Sequence, residues 1–588
     1  MIVASVAAFA DDSVATTTFD KPLTISGLAA GDKVNFYKIV EWVGDEAQPA
    51  GSVVVSGWKV VDHYKGVLTE DAFKAAFVGT PATTEPVAAA VAPTGITAEM
   101  AGNLARLAAT DTTASTEVTV ETAGTAVLNN DAAGMWMALI TPSDVDTMYN
   151  PVFVGADFNK DKTGDWKVTE AASYGDSAVA KKSTTDLNKE ASNEGDVAPD
   201  DLKWTTTAVG DILDFTVTTT IPGYGDVYQA PFFKLTDKLN DLELVDNTIQ
   251  ITAPSVPAGK ATITPASDKK SYTIEFDSDY LKTIKTPTTL TVTYKAKVTT
   301  TAPVHVNWEK NEVWTEFSHD PTKESDHAFK KDDTIHYTFT LDAEGLGGGS
   351  TQSGKKTSEL VKIGQNADGT PITEETKYSE ISEREYWEGP LAGAKFKLYR
   401  KNVVGTLSEE YTPSNGEIVS GADGRFTIAG LDAGTYYLQE SEAPAGFVRD
   451  LSIHTIVIDA VLTPKDVTEY TTDGKTWISA EAYDKLDAEA KKEYKSYTYK
   501  VDTLDTYTVK VDGEDTATYH FTNKGTDAEI VWTETPPVEH PFDIINTKGV
   551  ELPSTGGMGT TILYVGGSIL VLAAVILLIT KRRMNAED

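Results

Sequence analysis

From Thr561 to Thr580 the chain runs for 20 residues without a charge, and Lys581, Arg582 and Arg583 follow at once. A helix rises about 1.5 Å per residue, so this segment reaches about 30 Å, the thickness of a bilayer's hydrocarbon core. Basic residues closing such a span stay on the cytoplasmic side, which places the preceding body outside the cell. The chain also has no cysteine. That excludes disulfides, thiolate catalysis and Cys-based metal sites together, and an exported body of this size then needs some other staple.

Export is also suggested at the front. "MIVASVAAFADD" carries a small apolar run ending Ala8-Phe9-Ala10, the A-x-A pattern that precedes signal cleavage, without the basic segment expected before it. Residues 1–10 read as a clipped signal peptide or as the result of a start codon placed too late. Lys and Arg total 51 against 88 Asp and Glu, a formal charge of −37 over 588 residues. Nucleic acid and anionic lipid are therefore poor partners for the body, and a single core is not expected at this length.

The body reads as strands. In "GDILDFTVTTTIP" Leu213, Phe215, Val217, Thr219 and Ile221 share one face, and "LTVTYKAKV" repeats the pattern with Leu290, Val292, Tyr294, Ala296 and Val298. Such period-two runs, broken by Gly, Pro, Asp and Asn turns, predict an all-β chain of immunoglobulin-like sandwiches. Helical patterns interrupt it at Thr69 to Phe77, Thr97 to Leu107 and Ser479 to Tyr494. Composition divides the chain into a first unit at 11–180, a second at 181–344, a Gly/Ser linker at 345–357, a third unit at 358–550 and a tail at 551–588 with its membrane segment at 561–580.

Motifs for soluble chemistry are weak. "DFNKDKTGDW" sets Asp157, Asn159 and Asp161 at calcium-loop spacing. Gly is displaced to 164, however, and position twelve is Val168 instead of Glu, so a turn is the better reading and no metal is expected. The eight histidines form no H-E-x-x-H, and neither G-x-S-x-G nor a phosphate loop occurs. No cofactor and no metabolic activity are implied, and a wall-anchored hydrolase finds no motif.

Leu552-Pro553-Ser554-Thr555-Gly556, then the apolar run, then the basic tail, resembles the Leu-Pro-x-Thr-Gly sorting signal of Gram-positive surface proteins. Pro553 fixes its own φ and biases Leu552 towards extended geometry, which suits threading into an enzyme's groove. The resemblance implies cleavage by a sortase between Thr555 and Gly556, with transfer of the Thr555 carboxyl to an amine.

"PLAGAKFKLYR" and "DGRFTIAGLDAGTYYLQESEAPAGF" resemble the Cna-B-type domain of collagen adhesins and of the major, shaft-forming pilins that sortases assemble. Tyr436, Leu438, Glu440, Ala443, Pro444 and Gly446 fit that family's E-box, with Ser441 and Phe447 as departures. In the family the E-box Glu promotes a spontaneous amide bond between a Lys on the first strand and an Asn on the last. Carried over, Glu440 is the catalyst, Lys362 the amine and Asn546 the amide, with Asn523 as the alternative amide. "KNEVWTEFSHDP" is similar to a strand of the family's middle domain, which implies Asn311 as amide, Lys189 as amine and Asp237 as catalyst; Phe317 and His319 replace the commoner Tyr and Asn. Burial lowers a lysine's pKa and raises a carboxyl's, so a buried pair can supply a neutral amine and a proton donor. Held in contact, the pair gains an effective concentration on the order of 10⁵ M or more. Such a bond restricts the unfolded chain as a disulfide does.

The family's polymerisation lysine follows Val-Tyr-Pro. Here Val179-Ala180-Lys181-Lys182 lies at the corresponding junction, which implies Lys182, with Lys181 as alternative, although Tyr and Pro are missing. The resemblance thus implies a pilus subunit, not an enzyme beyond its own internal bonds. Its expected partners are a pilin-specific and a housekeeping sortase, identical subunits, minor pilins, peptidoglycan and a host ligand. The other reading is a monomeric wall-anchored adhesin that uses the sorting signal once.

Overall fold

A computed structural model describes residues 22–345, 357–549 and 558–584, less 44–53, 56, 81, 85–86, 112–114, 130–132, 145, 157, 159–173, 194–202, 300–303, 371, 373–374, 378–385, 473–475, 524–529 and 533–540. The signal-like residues 1–10, the Gly/Ser stretch 346–356, the pentapeptide Leu552 to Gly556 and the calcium-like positions Asp157, Asn159 and Asp161 lie outside the described residues.

Strands dominate. In the first unit, strand Lys33–Trp42 is the centre of a six-stranded sheet, flanked by Gly134–Thr141 and Trp58–Val60. One core of this unit contains Ile39, Met135, Phe73 and Leu104 and lies under two helices. These are Glu70–Phe77 and Ala98–Ala108, capped by the Thr69 and Thr97 hydroxyls as their sequence pattern suggests. A second core contains Leu23, Ile25, Phe36 and Trp136. It draws on a three-stranded sheet in which Leu23–Leu28 runs between Ser177–Val179 and Gly124–Leu128.

The middle unit is a sandwich. Leu187–Asn193, Ile212–Ile221, Thr288–Val298 and Leu242–Leu244 form one sheet, and Trp204–Thr206, His327–Leu341, Val306–Ser318, Phe233–Lys238, Ser271–Phe276 and Ala261–Pro265 the other. The alternation in the sequence explains its core: Leu213, Phe215, Val217, Leu290, Val292 and Val298 all point inward.

In the third unit, Leu360–Gln365 pairs in parallel with the last strand, Phe542–Thr547. A long meander through Lys395–Val403, Gly434–Glu442, Ile453–Thr471, Lys495–Val511 and Glu514–Asn523 forms the large sheet. The insertion at Ser479 to Tyr494 carries two short helices, Ala480–Asp484 and Ala488–Lys491, between two strands of that sheet.

The middle and third units share a core. Ile335, Tyr337, Phe339 and Leu341 of the middle unit cluster with Phe396, Leu438 and Tyr507 of the third. Strand Ile428–Leu431 joins the edge of His327–Leu341, so one sheet crosses the boundary. The chain on either side of the Gly/Ser stretch is fastened too, Thr357 N–H donating to Ala343 O at 2.9 Å. Arg425 donates to the Thr357, Asp342 and Ala343 carbonyls beside it. At the C-terminus, helix Met558–Met584 includes a 20-residue span, Leu563–Arg582, of mean hydropathy 2.5 and with none of it buried.

Candidate functional site

Lysine and aspartate seldom sit in a core, because removing an unpaired charge from water is costly. The middle unit buries Lys189, Asp237 and Asn311 completely or nearly so. Lys189 points inward from strand Leu187–Asn193, placed there by the same alternation that buries Leu187 and Ala191. Asp237 and Asn311 come from adjacent strands of the opposite sheet, where Asp237 lies opposite Val313, two residues from Asn311 and on the same face. Lys189 Nζ donates to Asp237 Oδ1 at 2.7 Å, while Asp237 Oδ2 accepts from the hydroxyls of Tyr294 at 3.1 Å and Tyr272 at 3.3 Å. The rings of Phe215 and Tyr294 stand 5.3 and 5.9 Å from the amine.

Burial pushes the Asp237 carboxyl above its ordinary range, against the pull of Lys189 and the two hydroxyls. Asn311 is held at both ends of its amide: Oδ1 accepts from the Asn240 backbone N–H at 2.9 Å, and Nδ2 meets His336 Nδ1 at 3.0 Å. A further buried pair, Lys203 with Asp332, fixes the Lys189 backbone, since Asp332 accepts from the Lys189 N–H and Lys203 donates to the Lys189 carbonyl.

The third unit repeats the chemistry with different parts. Lys362, Glu440 and Asn546 are again buried. Lys362 and Asn546 lie on the parallel end strands, where Asn546 is opposite Gly364, so the two side chains are diagonal neighbours on one face. Glu440 approaches from strand Gly434–Glu442: its Oε1 stands 3.2 Å from Lys362 Nζ, and its Oε2 accepts from Asn546 Nδ2 at 2.8 Å and from the Asp450 N–H at 2.6 Å. Burial lowers the Lys362 amine, with the Glu440 and Asp450 carboxylates opposing.

The E-box turn lies over this trio. Val448 O accepts from Asn546 Nδ2 at 2.6 Å, and Gly446 O accepts from the Gly549 N–H at 2.8 Å. The "DGR" turn supports the amine strand from another side, Gly424 O accepting from the Lys362 N–H at 2.7 Å. Gly424 has φ +75°, and a Cβ there would stand 2.6 Å from Lys362 O, so the close approach requires glycine. Asn546 Oδ1 has no hydrogen-bond partner although buried.

The alternative amide, Asn523, ends strand Glu514–Asn523 of the large sheet, whereas the Lys362 strand pair forms a separate sheet. Lys182 and Lys181 are exposed; Lys182 opens strand Lys182–Thr184 opposite Tyr149. The sequence does not single out His336, the Asn240 N–H or Tyr272, and it marks Tyr294 only as a core position of its strand. They come from strands and a turn distant in the chain, so no local motif could reveal them.

Residues 381–474 match the SpaA prealbumin-like fold domain, and residues 544–586 the LPXTG cell wall anchor motif. The trypsin-resistant surface T6 protein of Streptococcus pyogenes serotype M6 is 26% identical over 484 residues, 78% of this chain and 81% of that protein. The solved T6 backbone pilin of the same serotype has a TM-score of 0.50 at 18% identity, covering 90% of this chain and 98% of that one. The major pilin SpaD of Corynebacterium diphtheriae gives 0.40 at 15% identity, covering 73% and 89%. The anchor match and the apolar helix make this a cell-wall-anchored surface protein, with a precursor held in the membrane.

Proposed function

We propose that this chain is the shaft-forming subunit of a covalent pilus, polymerised when a pilin-specific sortase joins Thr555 of one subunit to Lys182 of the next and finally fixed to peptidoglycan by a housekeeping sortase. The observation that carries the reading is the presence of two buried Lys, carboxylate and Asn trios in one wall-anchored chain. A fibre built of single covalent chains under load has use for internal cross-links that no cysteine here can supply.

In the third unit the neutral Lys362 amine adds to Asn546 Cγ. Its proton passes to Glu440 and on to Asn546 Nδ2, which leaves as ammonia. Glu440 is placed for both transfers because it touches both nitrogens, at 3.2 and 2.8 Å. In the middle unit Lys189 and Asn311 are joined in the same way with Asp237 as the carboxyl. Both bonds form within the folded subunit, before or independently of sortase action.

Polymerisation is tested on wall extracts run on denaturing gels, from cells carrying the wild type or Lys182→Ala. The wild type is expected to give a high-mass ladder that collapses to monomer in the variant. A ladder that persists moves the acceptor to Lys181 or another lysine. A wild-type monomer in cells expressing the pilin sortase overturns the pilus reading in favour of the singly anchored adhesin.

A further inference from the structure

The two trios differ in what meets the amide. Glu440 reaches both the amine and the amide nitrogen of its trio. Asp237 is occupied by Lys189 and two tyrosine hydroxyls, and the nitrogen of Asn311 faces His336 Nδ1 at 3.0 Å instead. His336 is buried, and its position follows from the strand register. Asn311 pairs with Thr334, so His336 lies two residues along on the same face, diagonal to the amide. Resting on the reading that Lys189 and Asn311 become joined, we infer that His336 is the positioning residue of the middle bond, its Nδ1 lone pair holding the leaving nitrogen of Asn311.

The hydrogen-bond directions fix the assignment. A backbone N–H can only donate, so the atom of Asn311 that meets Asn240 N is the carbonyl oxygen. The other end of the amide is then the NH₂ group, a donor, and His336 Nδ1 must be the acceptor. The imidazole proton sits on Nε2, which is buried without a partner. Leaving a buried N–H unpaired is costly. The fold keeps this ring in spite of that cost, and what the ring provides is the Nδ1 contact. Burial and the charge of Lys189 push His336 down to about 4, so the ring is neutral at pH 7 and its Nδ1 lone pair is available.

During the step Lys189 Nζ forms a bond to Asn311 Cγ, and the carbonyl π pair moves onto Oδ1 against the Asn240 N–H. The Oδ1 pair then re-forms the carbonyl as the Cγ–Nδ2 bond breaks with its electron pair on nitrogen. That nitrogen takes the proton given up by Lys189 through Asp237, and departs as ammonia. His336 neither gains nor loses a proton. By accepting from one N–H it turns the nitrogen so that its lone pair develops on the side away from the ring.

The test follows the linked Lys189–Asn311 peptide by mass in the exported body of the protein, at intervals after synthesis is stopped. Lys362–Asn546 in the same molecules is the internal reference. His336→Leu is expected to link the middle pair about tenfold more slowly or worse, the loss expected for one hydrogen bond. His336→Asn, whose amide oxygen can stand where Nδ1 stands, is expected to keep the wild-type rate. His336→Gln, whose oxygen reaches the Nε2 position, should behave like Leu. Linking at the wild-type rate in the Leu and Gln variants overturns the role of His336. If the Leu variant does not fold, equal rates for Asn and Gln do the same. A wild type without the middle link overturns the underlying reading itself.

Discussion

Lys189 and Lys362 are both fully buried, each against a single carboxylate. A buried ion pair gains little stability over an apolar pair of similar volume, because desolvation offsets the attraction. Conversion to a neutral amide removes both the charge and the desolvation cost. If this is why the lysines are there, Glu440→Gln should leave the exported body heavier by one ammonia than the wild type, and Asp237→Asn likewise, each at its own pair. Loss of either link should lower stability by about 5 kcal/mol, the loop-closure estimate for segments of this length. Intact mass with thermal melting reads both effects, and wild-type mass in either variant would refute that assignment. At this scale the sequence is legible wherever a residue sits in a contiguous motif. Glu440 lies within "YYLQESEAPAGF" and Asn311 within "KNEVWTEFSHDP", so their types and neighbours can be recognised together. His336 lies in "DDTIHYTFTL", where every residue is buried because both faces of that strand are covered. The alternation that identifies half-buried strands is lost there, and the histidine has no pattern to stand out against.

Among elements, the parallel pair Leu360–Gln365 and Phe542–Thr547 joins the beginning and end of the third unit and carries both reacting residues. Gly364 lies opposite Asn546, and a Cβ at Gly364 would stand 2.9 Å from Phe447 Cε1 and 3.1 Å from both Ile372 Cδ1 and Leu391 Cδ1. The missing side chain lets Phe447 fold the E-box turn over the strand, and that turn brings Val448 O and the Asp450 N–H to Asn546 and Glu440. Gly364→Ala therefore predicts a displaced ring, slower linkage of Lys362 to Asn546, and about 1–3 kcal/mol of overpacking cost. Adding Phe447→Leu, which shortens the obstructing ring, should recover most of the rate. A single Ala variant that links as fast as wild type would show that the turn does not organise the site. Element type was largely legible from sequence: the strands around Phe215 and Tyr294 and the helices after Thr69 and Thr97 follow their periodicities. What a periodicity does not contain is which unit an element packs against. Strand Ile453–Thr471 extends far enough for Glu469 to reach Lys331 and Lys310 of the middle unit, at 3.2 and 3.7 Å.

Across the whole molecule, the positions of the proposed bonds define a path for tension. If load enters at Lys182 and leaves at Thr555, the first unit hangs outside that path. Its described residues include no buried lysine, whereas the middle and third units bury Lys189, Lys203, Lys331 and Lys362. The loaded chain would run from Lys182 to Lys189, cross to Asn311, continue to Lys362, cross to Asn546 and reach the sorting signal. Everything between Lys362 and Asn546 is then bypassed, as is everything between Lys189 and Asn311. The long element left in the path is strand His327–Leu341, paired from Val306 to Ser318 along its neighbour and buried in the core shared with the third unit. Pulling a single molecule between Lys182 and Lys548 should therefore lengthen it by no more than about 200 Å, the reach of roughly sixty residues at full extension. Glu440→Gln should release the bypassed segment of the third unit and add about 600 Å, since roughly 180 more residues enter the path. A wild-type molecule that lengthens as far as the variant would mean that the third-unit bond does not carry the load. Equal, short extensions in both would mean that the load is borne by the folded sheet rather than by the link between Lys362 and Asn546.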